Sequence, residues 1–294
     1  SSSWKWSVSG NIGVNRNEIS DLGLLPADFG CLGERVGYYG NSLGDHFGVG
    51  HIFLAGEAPG LFYGYVTQGI VQKEDITENG IKYIKQDGSV GYYQTVNKTT
   101  PVAGDVKYVD RNGDGVVDDN DRDIIGNPNP DFTYGFQTKV SWKSLSLSAS
   151  FNGVQGRDIL NVGNRYNNTP GTKSNNVTRK AFQNMWTDEN PSNLYPKSTF
   201  VVQNMVMDRY VEDGSYLRCS DITLSYILPA KWTNKIGIKN TSVYASVKNA
   251  FVITDYSGYD PEVNSFAFDG LRPGVDMNSY PTPRSFVFGL NLTF

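Results

Sequence analysis

The sequence predicts an all-β protein made of antiparallel strands. Three observations lead to this fold class: several segments alternate strictly between apolar and polar residues, the composition favours strands and turns, and short and long connections alternate along the chain. Of the 294 residues, 18 are Tyr, 15 are Phe and 32 are Gly, whereas charged residues make up only 19%. Such a composition is typical of many strands joined by polar loops.

The first alternating segment covers residues 4–14. Its apolar residues, which include Trp4, Trp6 and Val8, occupy alternate positions and therefore share one face of a strand. Because the chain opens inside this strand, we expect it to start part-way through a longer protein.

The clearest pattern is a predicted hairpin formed by residues 132–142 and 145–151. In both segments apolar residues alternate with Ser, Thr, Asn, Gln, Lys or Gly. A two-residue turn between them would place Trp142 directly opposite Leu145, and each later pair would follow in register without a bulge. All the apolar side chains of the hairpin would then lie on one side.

Three more alternating strands are predicted further along the chain, at 216–226, 241–253 and 284–294. Between the last five predicted strands lie four connections. The connection 143–144 is short, 152–215 is very long, 227–240 is of medium length and 254–283 is long. Alternation of short turns with long loops is typical of outer-membrane barrels, whose long loops lie outside the cell. Residues 16–131 would lie on the same side, as an extended external region with small β elements of its own.

Two architectures fit these strands. About six spanning strands are too few for a complete barrel, and the open edges of an isolated sheet are costly in lipid, so the chain would be part of a larger transmembrane β-barrel. The other possibility is a secreted β-sandwich, either a calcium-binding carbohydrate-binding module or a glycan-processing enzyme. In a sandwich, the apolar face would be buried against a second sheet.

The charge and the cysteine content argue against nucleic-acid binding and against a disulfide-rich protein or one with a cysteine-ligated metal. The formal net charge of −4 offers no basic surface for nucleic acid. The two cysteines, Cys31 and Cys219, define neither a disulfide framework nor a metal motif, and whether they pair is left open.

The segment 110–121 matches a twelve-residue calcium loop. Such a loop needs oxygen ligands at defined positions, Gly at its sharp bend and a backbone carbonyl at the seventh position. Gly115 stands at the bend, and the predicted metal ligands are Asp110, Asn112, Asp114, Val116, Asp118 and Asp121. We expect calcium with a structural role; the alternative is a solvated turn rich in Asn, Asp and Gly that binds no metal.

Three aromatic residues in the long connection are candidates for substrate contact. Tyr166, Trp186 and Tyr195 lie among Asn and Gly residues, and aromatic rings beside amides suit sugars through stacking and hydrogen bonding. The alternative is that these rings pack one loop against another.

No pattern of catalytic residues stands out, and we expect no enzyme. His46 and His51 are the only histidines, and a role in the loop is favoured over a metal pair. A glycosidase needs two carboxylates at a defined separation, and no spacing among Glu57, Glu189 and Glu212 favours a pair.

Several segments resemble, in order along nearly the whole chain, the C-terminal portion of the SusC/RagA family of TonB-dependent outer-membrane transporters. They are GEAPGLFYGYVTQGIV (56–71), YVDRNGDGVVDDNDRDIIGNPNPDFTYGF (108–136), MWTDENPSNLYPK (185–197), VEDGSYLRCSDITLSYILP (211–229), VYASVKNAFVITDYSGYDPEV (243–263) and YPTPRSFVFGLNLTF (280–294). Cys219 departs from the family, which more often has another small or aliphatic residue there.

The resemblance implies a barrel of about 22 strands, closed by an N-terminal plug, in the outer membrane of a Gram-negative bacterium of the Bacteroidetes type. It implies import of glycans or oligopeptides, with a SusD-like surface lipoprotein as a lid and TonB bound through a segment outside this chain. The plug and the remaining strands would also lie outside it. In such barrels a terminal aromatic residue, here Phe294, is read by the insertion machinery; the alternative is that it caps an apolar stripe. A structural or adhesive barrel that moves no solute remains a third possibility.

Overall fold

A computed structural model describes residues 4–23, 30–32, 35–43, 48–169, 176–198, 205–233 and 240–293 of the chain. Its first strands are β1 Trp4–Gly13, β2 Gly30–Leu32, β3 Arg35–Tyr39, β4 His51–Leu54, β5 Leu61–Tyr65, β6 Thr67–Ile70, β7 Ile76–Thr77, β8 Gly80–Ile84, β9 Val90–Tyr93, β10 Thr95–Val96, β11 Val106–Tyr108, β12 Val116–Val117 and β13 Arg122–Gly126. The remaining strands are β14 Phe132–Trp142, β15 Leu145–Gln155, β16 Asp158–Asn161, β17 Val211–Asp213, β18 Tyr216–Ile227, β19 Asn240–Thr254, β20 Val275–Asp276 and β21 Ser285–Thr293. Three short α-helices are α1 Val162–Asn168, α2 Arg179–Asn184 and α3 Ala230–Thr233, and 3₁₀ turns cover Lys73–Asp75, Asp119–Asp121 and Asp208–Tyr210.

The long strands form one six-stranded antiparallel sheet in chain order, β1-β14-β15-β18-β19-β21. The predicted hairpin is present in the predicted register: Trp142 pairs with Leu145 and Phe136 with Phe151, and no bulge interrupts it. Its two-residue turn places Lys143 at a φ of 52°, as a tight hairpin turn requires. The six strands predicted from alternation are therefore all found.

Two register shifts in this sheet were not predicted, one between β15 and β18 and one between β18 and β19. Asp221 pairs with Ser150, but the next pair joins Cys219 to Phe151, so Ser220 is an extra residue in β18. This β-bulge changes which residues face each side of the strand. Cys219 and Ile222 consequently lie on the same face of the sheet although they are three residues apart.

The buried core lies among the short strands. The described residues between β1 and β14 include a five-stranded sheet, β13-β5-β4-β3-β2, and a three-stranded sheet, β7-β8-β9. Tyrosines are the largest side chains of the core that these elements share with residues of the long connection, and four of them are almost fully buried: Tyr65, Tyr83, Tyr93 and Tyr108. Buried hydroxyls need partners. The Tyr93 hydroxyl accordingly accepts a bond from the backbone N–H of Tyr108, at 3.1 Å.

The long connection between β15 and β18 contains helices that the sequence analysis did not predict. Asn161 caps α1 by accepting a hydrogen bond from the backbone N–H of Asn164, and Thr178 caps α2 in the same way. Two short flanking strands, β16 and β17, pair with each other, and β20 from the last connection pairs with β16. These strands join two connections that lie far apart in the sequence.

A buried ion pair attaches the last connection to β18. The guanidinium of Arg218 lies 2.5 Å from Asp260 and 3.2 Å from Glu262, and the side chains of Arg218 and Asp260 are almost entirely buried. Burial alone would raise the pKa of Asp260. Hydrogen bonds from Glu262 and Thr282 and the charge of Arg218 outweigh burial, so the pKa is lowered overall.

Glu262 completes this contact, which we call the Arg218 latch (Arg218, Asp260 and Glu262). Glu262 accepts hydrogen bonds from the Tyr216 hydroxyl at 2.6 Å and from the Asn152 amide at 3.1 Å. The latch therefore ties the segment around Asp260 to the ends of both β15 and β18.

A second contact of the last connection is made by His51 in β4. Its imidazole is fully buried, with Nε2 2.9 Å from the carbonyl oxygen of Pro273. The ring meets Phe62 edge-on, and among the described residues Nδ1 has no hydrogen-bond partner. Burial, helped by the nearby charge of Arg272, lowers the pKa of His51 to about 4, against the hydrogen bond to Pro273 and the charge of Asp269.

The lowered pKa of His51 predicts acid sensitivity of this contact. Between about pH 6.5 and pH 4 an open state binds a proton that the closed state does not. The contact is therefore at full strength above pH 6.5 and weakens as the pH falls, by up to about 3 kcal/mol. Acidification should lower the protection of residues 269–273 against amide hydrogen exchange in the full-length protein, measured relative to their intrinsic exchange rates at each pH. His51→Gln, which keeps a donor but cannot titrate, should remove this loss of protection, and an equal loss in both proteins would contradict the prediction.

Loss of the Arg218 latch is expected to release the last connection. Asp260→Asn leaves the buried Arg218 facing a neutral amide, and breaking a buried pair costs about 3 kcal/mol or more. The matched control is Asp188→Asn, because the Asp188–Lys73 pair has side chains that are 63% and 66% exposed and should contribute less than about 1 kcal/mol. Hydrogen exchange of residues 255–283 in the full-length protein measures both variants. Equal protection in the two variants would show that the ion pair does not hold the connection.

Candidate functional site

One face of the six-stranded sheet carries apolar side chains that the described residues leave exposed. Trp6 is 74% exposed and Phe288 is 79% exposed, and the members of this face, which we call the apolar face, include Trp4, Trp6, Val8, Ile12, Phe136, Trp142, Leu145, Leu147, Leu224, Tyr226, Val243, Phe251, Ile253, Phe286, Phe288, Leu290 and Leu292. A patch this large is uncommon on a protein surrounded by water. No second sheet among the described strands covers it, so the β-sandwich alternative is wrong.

A hydrogen bond between neighbouring strands pairs one polar group of the apolar face. Thr138 interrupts the alternation of β14 with a hydroxyl on this side. The indole N–H of Trp6, on the neighbouring strand, donates to that hydroxyl at 3.0 Å. This bond satisfies a polar group that hydrocarbon could not.

Aromatic and basic side chains gather at the end of the sheet that carries the two-residue turn. The rings of Trp4 and Trp142 stack with their centroids 5.7 Å apart, and the Lys143 ammonium lies 4.9 Å from the centre of the Trp142 ring. Tryptophan and lysine side chains of this kind are favoured at a membrane–water boundary, because each combines an apolar body with a polar end.

The opposite face of the sheet carries bonded polar side chains. Asp221 of β18 lies 2.7 Å from the ammonium of Lys248 in β19, and it accepts hydrogen bonds from Thr223 and Ser246, both at 2.7 Å. Such a network needs a face that is shielded from hydrocarbon. The two faces of the sheet therefore differ as the walls of a membrane barrel do.

No helix in the described part of the chain combines the length and the apolar character that crossing a bilayer would require.

The predicted calcium loop closes through hydrogen bonds from its own backbone. The carboxylate of Asp110, almost fully buried, accepts from the N–H groups of Gly113 at 2.7 Å and Gly115 at 2.9 Å. Asp121, also almost fully buried, accepts from Arg111 at 2.8 Å and from Asp118 at 2.8 Å. The first and last predicted ligands thus hold the two ends of the loop together.

The other predicted ligands of the loop lie nearer solvent. Asn112, Asp114 and Asp118 make short-range bonds: Asn112 accepts from the N–H of Asp114, Asp114 from Val116, and Asp118 from Asn120. Among the described residues, no three His, Cys, Asp or Glu side chains converge as in a preformed metal site.

The acidic loop is held in place by hydrogen bonds from two tyrosines, and its buried carboxylates repel each other. Burial raises the pKa of Asp121, and the charge of Asp110 adds to this, against the hydrogen bonds from the backbone N–H groups. The Tyr83 hydroxyl donates to the carbonyl oxygen of Asp110 at 2.6 Å, and the Tyr65 hydroxyl donates to Asp119 at 3.0 Å. The tyrosine core therefore anchors the loop.

The three aromatic candidates for substrate contact differ in how far they are buried. Trp186 is buried, its N–H donates to Gln72 at 3.0 Å, and a side chain at Gly104 would collide with its ring. Tyr166 is half-buried against the main core. Tyr195 is half-buried on the wall of a polar cavity next to α1, and its carbonyl oxygen accepts a hydrogen bond from the backbone N–H of Trp186 at 3.0 Å. Their role in substrate contact stays a prediction.

The remaining singled-out residues occupy separate places. His51 is buried against Pro273, whereas His46 and Phe294 lie outside the described residues, as does the side chain of Cys31. Cys219 is a buried free thiol in the row of residues that joins Phe151 to Phe251 across the sheet. Of the three glutamates considered, Glu212 is the one bonded into the polar cavity wall.

Sequence reasoning missed the Arg218 latch and the role of Glu212. A signal was present, because an arginine inside an alternating strand needs a buried counter-charge. The partner of Arg218 lies 42 positions along the chain, however, so spacing alone could not identify it.

Curated proteins similar to this chain are bacterial TonB-dependent receptors, although no family model matches it. The chain is 31% identical to TonB-dependent receptor P3 of Formosa agariphila over 98% of the chain and 27% of that protein. It is 34% identical to TonB-dependent receptor SusC of Bacteroides thetaiotaomicron over 64% of the chain and 17% of that protein. The chain therefore spans about a quarter or less of the length of these curated relatives.

Among solved structures, the RagAB peptide importer in its "closed-closed" state has a fold similar to that of the chain. The TM-score is 0.66 at 24% identity, over 99% of this chain and 27% of the other. The predicted fold class is confirmed: the chain is a partial set of strands from an antiparallel transmembrane β-barrel. The predicted family is confirmed as well: the chain belongs to the SusC/RagA family of TonB-dependent outer-membrane transporters.

Proposed function

We propose that the protein containing this chain imports glycans or oligopeptides across the outer membrane of a Gram-negative bacterium of the Bacteroidetes type. The observation that carries this proposal is the exposed apolar face, backed on its other side by a bonded polar face. In a membrane barrel, lipid would cover the apolar face and the water-filled lumen would solvate the polar face. The names of the relatives, a TonB-dependent receptor and SusC, support TonB-dependent uptake.

In this proposal the chain supplies part of the barrel wall and several external loops. The rest of the barrel and a plug would come from other parts of the same protein, and TonB would bind one of those parts. A SusD-like surface lipoprotein would cover the external mouth, a partner that the likeness to SusC and to the RagAB peptide importer supports. The name of RagAB says that it imports peptides, whereas the name of SusC states no substrate. Both substrate classes therefore remain in the proposal for this protein.

The membrane placement is tested by a charge on each face of β21. Phe288→Arg puts a guanidinium on the apolar face near the middle of the strand, where lipid exposure would cost about 2–4 kcal/mol. Asn291→Arg places the same group on the opposite face and is the matched control. The full-length Phe288→Arg protein should show less heat-modifiable folded barrel in the outer-membrane fraction, and the control should not.

Import is measured in the same strains. Cells with the wild-type protein should take up a labelled oligosaccharide or oligopeptide, and uptake should stop when the gene is deleted or the proton gradient is collapsed. Uptake that survives both treatments would contradict the import proposal. A folded barrel without uptake would favour the structural or adhesive alternative.

We also propose that calcium binds the acidic loop. The fit rests on the buried carboxylates of Asp110 and Asp121, whose like charges face each other and whose oxygens retain acceptor capacity beyond the backbone bonds they make. Asn112, Asp114, Asp118 and the Val116 carbonyl would supply further oxygens. A bound cation would neutralise this loop and would stiffen it ahead of β14.

The calcium proposal predicts a change on chelation. EDTA should lower the protection of the loop region against hydrogen exchange in the full-length protein, and added calcium should restore it. Asp121→Asn should remove the response to EDTA, whereas Asp188→Asn, at a largely exposed aspartate away from the loop, should keep it. Hydrogen exchange of residues 108–126 gives the readout, and an EDTA-insensitive wild type would show that backbone hydrogen bonds alone hold the loop.

A further inference from the structure

A polar cavity lies beyond the ends of β15 and β18, where the long connection meets the last one. Its volume of about 550 Å³ is within the range of small-ligand sites. Five asparagines line it, and we call it the asparagine cavity: Asn161, Asn164, Asn167, Asn168 and Asn278.

Glu212 organises one wall of the asparagine cavity. One carboxylate oxygen accepts hydrogen bonds from the amides of Asn161 and Asn164, both at 3.0 Å, and from the Ser257 hydroxyl at 2.9 Å. The other oxygen accepts from the backbone N–H of Ser257 at 2.9 Å. Because the carboxylate already accepts four hydrogen bonds, it holds the side chains of this wall in place, and little acceptor capacity remains for a cationic ligand.

The asparagine amides are themselves partly engaged. Asn168 donates to Asn164 and accepts from the Thr178 hydroxyl at 2.8 Å, and Asn167 donates to Asn278 at 3.4 Å. Each amide offers two donor hydrogens and an oxygen with two acceptor sites, so these bonds fix the amide planes and leave capacity on each. The result is a set of fixed donors and acceptors without a net charge of their own.

Two tyrosines supply the apolar surfaces of the asparagine cavity. Tyr259 is 71% exposed, which leaves its ring open to the cavity, and Tyr195 is half-buried on the wall. An exposed aromatic ring beside amides suits the C–H face of a pyranose ring, whose hydroxyls are at its edge. A peptide would instead need apolar pockets for alternate side chains or a charged group for a terminus.

The net negative charge around the cavity disfavours the carboxylate end of a peptide and anionic sugars, and both carboxylates of the wall are already bonded within the protein. Asp276, almost fully buried, already accepts from the Tyr256 hydroxyl at 2.7 Å and from the backbone N–H of Ser279 at 2.9 Å. Lys180 is exposed, and among the described residues of the wall it is the one cationic side chain against the two carboxylates of Glu212 and Asp276. We propose that the asparagine cavity is a binding subsite for a neutral saccharide, an inference that rests on the proposed import function and specifies its substrate class.

Binding to the full-length protein in detergent tests the subsite. The probes are neutral oligosaccharides of four to eight residues prepared from starch, mannan and xylan, with a tryptic peptide pool as the competing class, and calorimetry gives each affinity. At least one oligosaccharide should bind, and Tyr259→Ala and the double variant Asn167→Ala/Asn278→Ala should each weaken it about tenfold. Tyr280→Ala, which removes another exposed tyrosine of the same connection that is not on the cavity wall, is the matched control and should bind as wild type.

The outcomes separate the subsite from the import function. The subsite is overturned if no oligosaccharide binds, if the cavity variants bind as tightly as wild type, or if these variants weaken the binding of peptides instead. If oligosaccharide binding depends on the cavity but deletion of the gene leaves uptake unchanged, the subsite stands and the import proposal fails. Near-ultraviolet circular dichroism of each variant confirms that lost binding is not lost folding.

Discussion

Backbone hydrogen bonding across the six long strands is the constraint on which the rest of this chain depends. Water is absent from the hydrocarbon of a bilayer, so each peptide group there must find a partner within the protein. The strands satisfy this by pairing over almost their whole length, and alternation then directs one side chain outward for each one directed inward. Among the described strands β1 and β21 have one neighbour each, and further strands of the same barrel would have to cover their other edges.

Stability is divided between two regions with different chemistry. The long sheet has few fully buried side chains, and its apolar face relies on its surroundings. The connections, by contrast, bury tyrosines whose hydroxyls are paired, and ionic groups such as Arg218 and Asp260 are bonded to each other. The loops therefore have a core of their own, which lets them present fixed polar surfaces such as the asparagine cavity.

Local periodicity was enough to predict the strands of the long sheet. The hairpin of β14 and β15 was predicted in its correct register because Trp142 and Leu145 end two unbroken alternating runs. The bulge at Ser220 was not predicted. In the sequence, one extra residue cannot be distinguished from an ordinary interruption of the apolar–polar alternation. Thr138 also interrupts the alternation, and only the structure shows that Trp6 on a neighbouring strand accommodates it.

Site residues were harder to predict because their partners are distant in the sequence. The acidic loop is a local motif, so its bends and its closure by Asp110 and Asp121 could be expected from spacing. Trp186 was a plausible ligand contact by composition, but its burial against Gln72 depends on how two connections pack. The asparagine cavity likewise requires α1, Glu212 and the segment around Ser257 to meet.

The Arg218 latch and the Glu212 wall have a consequence for how such proteins diverge. Both join the stretch before β19 to the stretch after it, through Asp260 in one case and Ser257 in the other. Recombination that exchanged only one of these two stretches between relatives would separate a buried charge from its counter-charge. The long connection, β18 and the last connection should therefore be inherited as a single exchangeable unit, and new specificities should arise by swapping them together.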